Sequence, residues 1–142
     1  MMDFSCHCGT VTVRVAQTPA FIHACNCSLC RKAGAQWAYF APADVLAAGQ
    51  TTSYVRTDKP GAGAQIHFCP KCGSTTHFVL TPETIALHGN TVTGANMALA
   101  DQSQLAGVEM RFPDGAAWAG QGPFGYVRES VIIGSADQPQ SP

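Results

Sequence analysis

Seven of the 142 residues are cysteine, and they fall in three tight groups: Cys6-His7-Cys8, Cys25-Asn26-Cys27-Ser28-Leu29-Cys30 and Cys69-Pro70-Lys71-Cys72. Thiolates two or three residues apart can reach one metal ion, and zinc is the usual occupant of a site built only of sulfur. Two groups are pairs followed at once by glycine, Cys8-Gly9 and Cys72-Gly73. Glycine accepts the left-handed backbone that turns amide N–H groups toward sulfur. These similar halves are expected to combine into one four-thiolate site, Cys6, Cys8, Cys69 and Cys72. A closed site of that kind is structural. It would join the start of the chain to its middle, about 60 residues away, and so close a long loop.

Cys25, Cys27 and Cys30 remain, and no glycine follows them. Three thiolates around Zn²⁺ leave a fourth position open for chemistry. Such a site carries a net charge of −1, which the adjacent Arg31 and Lys32 would offset, and cations beside thiols favour the thiolate. Cysteines packed as small hydrophobes are the plainer alternative, but three in six residues are too many for packing alone. His23 and His67 each sit two residues before a cysteine and are the nearest protein candidates for an extra ligand. A packed histidine is the commoner state for both. His7 is expected to face away from the metal, and His77 and His88 to be packing or surface residues.

Other uses of these cysteines fit less well. Seven is odd, so disulfides would leave one thiol over, and Cys-x-Cys spacing strains the bridge. A redox Cys-x-x-Cys would call for a βαβ setting, and no helical pattern follows Cys72. The opening residues 1–8 have neither the basic nor the apolar region of a secretory signal. A reducing, cytoplasmic setting is therefore expected.

The elements that must hold these groups read as mainly β. Val11, Val13 and Val15 alternate with polar residues, as in a half-buried strand. Short β-branched or aromatic runs follow at Phe21–Cys25, Gln36–Phe40, Thr51–Thr57, Ala64–Cys69 and Thr75–Leu80, with Pro19, Pro42, Gly49, Pro60-Gly61 and Pro82 as punctuation. Thr84–His88 and Gly107–Phe112 are further strand candidates, Asp44–Ala48 is one helical turn, and Asp114–Gly125 is a long loop anchored by Trp118. Residues 1–134 read as one domain, and residues 135–142 as a flexible tail. Trp37, Tyr39 and Phe40 are expected in the core.

Composition excludes two partner classes. Charged residues make up only 12% of the chain, with net charge −1, and no basic cluster exceeds Arg31-Lys32. Nucleic acid calls for a basic face. No apolar run approaches the ~18 residues of a membrane span.

The cysteine groups and their flanks resemble the glutathione-dependent formaldehyde-activating family, which also contains centromere protein V. The matching segments are Cys6-x-Cys8-Gly9-x-Val11, Cys25-x-Cys27-Ser28-x-Cys30-Arg31-x-x-Gly34 and Phe68-Cys69-x-x-Cys72-Gly73-Ser74. The resemblance implies a zinc-stapled, mainly antiparallel fold of the β-tent type. It implies a structural zinc on Cys6, Cys8, Cys69 and Cys72, and a second, more labile zinc on Cys25, Cys27 and Cys30. It also implies a carbon–sulfur lyase activity that joins glutathione and formaldehyde as S-hydroxymethylglutathione. Arg31 and Lys32 are then the expected contacts for an anionic small-molecule thiol, and Arg56 and Lys59 are the remaining loop cations for its carboxylates. The second half departs from the family pattern. Gly89-Asn90-Thr91-Val92 lacks the aspartate often found in that strand, and no His-Ile pair precedes Trp118. A zinc-stabilised thiol- or metal-binding module without catalysis is the alternative.

Overall fold

The computed structural model describes residues 1–134. The expected tail, 135–142, lies outside the described residues. Eleven short strands build two open sheets. The smaller is a three-stranded antiparallel sheet. Its strands are β1 (Met2–Ser5), β2 (Thr12–Val15) and β5 (Val45–Ala48), in the order β1-β2-β5. Met2 pairs with Val15 and Phe4 with Val13, so the alternation read from the sequence points one valine and aromatic face inward.

The larger sheet uses β3 (Phe21–His23), β4 (Trp37–Phe40), β6 (Thr52–Tyr54), β7 (Ala64–Phe68), β8 (Thr75–Leu80), β9 (Thr93–Asn96), β10 (Glu109–Pro113) and β11 (Tyr126–Ile132). Their spatial order is β11-β10-β3-β4-β9-β8-β7-β6. Every pairing is antiparallel except β10 with β3, which run parallel. The expectation of a mainly β single domain therefore holds.

Strand β4 explains two of the three buried clusters among the described residues. Ala38 and Phe40 face a cluster shared with Phe4, Val13 and Val15 of the smaller sheet and with Ile22, Ala95 and Met97. Trp37 faces a second cluster with Ala35, Ile66 and Phe78, against which Leu29 and Cys30 pack. A strand covered on both sides needs no polar face, and Trp-Ala-Tyr-Phe has none. Helix α1 (Ser28–Ala33) thus sits on the outer side of the large sheet, carrying Cys30.

Three local expectations are corrected. Asp44–Ala48 is no helical turn: a 3₁₀ turn at Pro42–Asp44 leads into β5, which pairs with β2. The open edge of β2 overrides the weak strand preference of Ala47 and Ala48. Thr84–His88 is no strand but belongs to α2 (Pro82–His88). Thr81 caps it, accepting the Thr84 N–H at 3.3 Å, and Pro82 opens it. Pro82 is therefore a helix-starting residue. Gly89–Val92 connects α2 to β9 and is not itself a strand.

Candidate functional site

The first cysteine group forms where the two sheets meet. Cys6 follows β1, and Cys69 and Cys72 lie in the turn between β7 and β8. The four sulfurs of Cys6, Cys8, Cys69 and Cys72 all lie within 4.8 Å of one another. Two of the separations, Cys6–Cys8 and Cys8–Cys69, are 3.7 Å. A tetrahedron with Zn–S bonds of about 2.3 Å has edges of about 3.8 Å, so the sulfurs stand at the spacing a four-thiolate zinc requires. Cys6 and Cys8 converge through a turn, with the Gly9 N–H donating to the Cys6 carbonyl, and not along an extended strand. Gly9 and Gly73 both have φ near +80°. The N–H groups of Val11 and Lys71 donate to the sulfurs of Cys6 and Cys69 at 3.3 and 3.4 Å. The Ser74 hydroxyl beside Cys72 brings its thiol down to about 5, and the Thr10 hydroxyl likewise lowers Cys8. Donors already aimed at these sulfurs favour thiolate. His7 is exposed and points no ring atom into the group. Its backbone N–H donates to Ser74.

The second group is local. Cys25 follows β3, Cys27 caps α1 and Cys30 lies in its first turn. The Cys27 sulfur accepts the Cys30 N–H at 3.3 Å, and the Cys25 sulfur accepts the Cys27 N–H at 3.4 Å. All three sulfurs lie within 4.8 Å of one another. The thiols of Cys25 and Cys30 hold Cys27 far below the ordinary thiol range, and the neighbouring sulfurs push Cys30 and Cys25 up. Three like charges this close cannot coexist without a cation among them. The donor set therefore fits a soft divalent metal. Among the described residues no histidine or carboxylate joins either sulfur group.

Several neighbours of this group come from distant segments of the chain. Asn26 bridges to the 3₁₀ turn Gly115–Ala117: its Nδ2 donates to Asp114 and its Oδ1 accepts the Ala116 N–H, both at 2.9 Å. The bridge brings Gly115 so near that a Cβ there would lie 2.2 Å from the Cys25 sulfur. The only sequence hint was an Asn between two cysteines and a glycine-rich loop, and the 88-residue separation hid the pairing. Arg56 also arrives from a distant loop, with its guanidinium 4.0 Å from the Cys27 sulfur.

His23 is not a member of the sulfur set. Its Nδ1 lies 3.1 Å from the Tyr39 hydroxyl, and its ring is enclosed by Phe21, Phe124 and Tyr126. Its Nε2 is buried without a partner among the described residues. Burial and then Arg111 lower its pKa. His67 bonds Thr51 and stacks on His77 at 4.6 Å. Arg31 and Lys32 are exposed in the last turn of α1. A surface hollow of about 530 Å³ lies over the smaller sheet beside Phe4, Arg14 and Leu46, and no cysteine lines it. No described helix is long and apolar enough to cross a membrane.

The sequence model described as glutathione-dependent formaldehyde-activating enzyme matches residues 1–109, which contain all seven cysteines. The chain belongs to this family. A crystal structure of a Rhodobacter sphaeroides protein, a structural-genomics target, is similar at 28% identity with a TM-score of 0.54. The alignment covers 70% of this chain and 88% of that one. No curated protein matches the chain. Membership in the glutathione-dependent formaldehyde-activating family ties a glutathione- and formaldehyde-related function to a molecule whose two cysteine clusters could hold zinc.

Proposed function

We propose that the protein is a zinc-dependent carbon–sulfur lyase of the S-(hydroxymethyl)glutathione synthase type, joining a small thiol such as glutathione to a small aldehyde. The observation that carries this reading is the unequal make-up of the two groups. Four thiols stand at tetrahedral spacing in one, and in the other stand three thiols with no fourth protein donor among the described residues. Cys6, Cys8, Cys69 and Cys72 would hold the structural zinc, and Cys25, Cys27 and Cys30 the second. When bound there, zinc supplies Lewis acidity and lowers the pKa of a thiol that approaches it.

The chain's own residues do the remaining work. The amides of Cys27 and Cys30 stabilise the ligand thiolates. Gly115 leaves room beside Cys25. Arg31 and Lys32, which directly follow Cys30 in α1, would draw in an anionic thiol. Zinc content and calorimetric titration with glutathione test the proposal together. Two zincs per chain and glutathione binding are expected. An Arg31→Ala/Lys32→Ala double variant should bind about tenfold more weakly, equivalent to ~1.4 kcal/mol. A zinc-loaded protein that binds no thiol would sink the lyase reading.

A second reading is a zinc-stabilised binding module without catalysis. It is favoured by the lining of two surface hollows, one beside Phe4 and Arg14 and one beside Arg111 and Tyr126, neither of which includes a cysteine. Turnover of formaldehyde and glutathione above the spontaneous rate would exclude it. Both readings expect a reducing, cytoplasmic setting, in which cysteine thiolates stay available to a metal.

A further inference from the structure

The loop after β6 carries a cation that no cysteine spacing could reveal. Arg56 stands 26 residues beyond Cys30 in sequence, yet its guanidinium lies between Asp58 and the second sulfur group. Its Nε and Nη2 donate to the two Asp58 carboxylate oxygens at 2.8 and 2.9 Å. Nη2 also donates to the Ser28 hydroxyl at 3.3 Å, and Nη1 points to the Cys27 sulfur at 4.0 Å. Ser28 itself donates to Asp58 at 3.2 Å, which closes the ring of contacts.

The arrangement is ordered by exposure. The Arg56 side chain is 15% exposed and Asp58 is 53% exposed. The carboxylate therefore sits on the solvent side, where water screens it, while the guanidinium sits against the sulfurs, where screening is weaker. The pair presents its positive end to the cluster. A fork geometry is needed to do this, because one flat group must meet a carboxylate, a hydroxyl and a sulfur at once. At 4.0 Å the sulfur contact is at the outer range of an N–H···S bond, so the influence on Cys27 is chiefly Coulombic. Arg31 and Lys32 make no comparable contact among the described residues.

We infer that Arg56, oriented by Asp58 and Ser28, is a positioning residue that matches the charge of the three-thiolate group and governs how tightly that group keeps its metal. The inference rests on the second-zinc reading. Three thiolates and a divalent ion sum to −1, and a partly buried guanidinium beside Cys27 offsets that charge without occupying a coordination position. With zinc bound, a fourth position would remain for a thiol, which a fourth protein ligand would close.

The test compares the zinc-loaded parent with Arg56→Gln and Arg56→Lys. Zinc transfer to a chromogenic chelator is followed in time, and cobalt-substituted protein is examined for its sulfur-to-metal charge-transfer band. The parent should release one zinc fast and one slowly. Arg56→Gln should quicken the fast phase about tenfold and shift the cobalt band. It should leave the slow phase and the melting temperature unchanged. Arg56→Lys keeps the charge but not the fork, and should fall between the two. A parent that holds two zincs, with both variants matching it in fast phase and band, overturns the role of Arg56 alone. A parent that holds a single zinc overturns this inference and the second-zinc reading together.

Discussion

Gly115 shows how closely the second sulfur group is fitted. Its backbone approaches Cys25 because Asn26 holds the 114–117 turn by two hydrogen bonds. A methyl group at this position would stand 2.2 Å from the Cys25 sulfur, well inside contact distance, so either the turn or the sulfur must move. The turn is held by Asn26 and by the Asp114 N–H on the Gly125 carbonyl, and the sulfur is one of three that must converge. Gly115→Ala is therefore expected to leave a folded protein with one zinc per chain in place of two, read by metal analysis beside circular dichroism. Retention of both zincs would show that the turn yields at little cost. Gly94 presents the same kind of fit in the core, since a Cβ there would lie 2.0 Å from the Phe78 ring.

At the scale of elements, α2 is the clearest case of signals present in the sequence but outweighed. Thr81, Pro82 and Glu83 are a cap, a first-turn proline and a first-turn acid. The β-branched Thr84 and Ile85 argue for strand, and Pro82 reads equally well as a breaker. The helix wins because the Thr81 hydroxyl is buried and aimed at the Thr84 amide. Thr81→Ala should cost about 1 kcal/mol, measured as a lower denaturant midpoint. No change would mean the helix is held by its neighbours instead. Strand β9 is the converse. Thr-Gly-Ala-Asn has little strand preference, yet all four residues are buried between β4 and β8. Asn96 there spends its side chain on Gln36, Ala98, Gly34 and Thr75, which only the assembled sheet supplies.

For the whole molecule, the two sulfur groups differ in what they connect. The first joins the end of β1 in the small sheet to the β7–β8 turn in the large one. Its loss releases a long loop and opens the seam between the sheets. Cys72→Ser should therefore lower solubility and melting temperature severely and remove one zinc. Cys27→Ser, within a local loop and helix start, should leave a folded protein with one zinc and no glutathione-linked activity. The opposite pattern would mean that the structural and functional assignments are exchanged.

Acid should act on the large sheet as well. Burial, and then His67 beside it, push His77 down to about 4 from 6.5. The native state thus holds His77 neutral, while the unfolded chain takes up a proton as pH falls below 6.5. Stability from this group is complete above pH 6.5 and is lost as pH falls toward 4. It is worth about 3 kcal/mol at most. Denaturant unfolding of the parent and of His77→Gln between pH 7 and pH 5 isolates it, with a shallower decline expected in the variant. Parallel declines would assign the acid sensitivity elsewhere.

What the sequence determined by itself is what short spacing can encode. Thiolates two or three residues apart can meet the same ion, and a glycine after a pair supplies the turn that lets them. Those local facts sufficed for the four-plus-three partition, for the family resemblance and for the alternating strand at β2. The tertiary structure alone decided which distant groups surround the three-thiol site. Gly115, Asp114 and Arg56 reach it across 26 to 90 residues of chain; the sequence marks Arg56 only as a loop cation for substrate carboxylates, and nothing in their own neighbourhoods marks Gly115 and Asp114. It likewise decided that β5 and β9 are strands, since their partners, and not their side chains, supply the stabilising contacts. The physical reason is the same throughout. Covalent spacing fixes the reach of neighbours, whereas contacts between distant segments exist only once two sheets have closed around a common core.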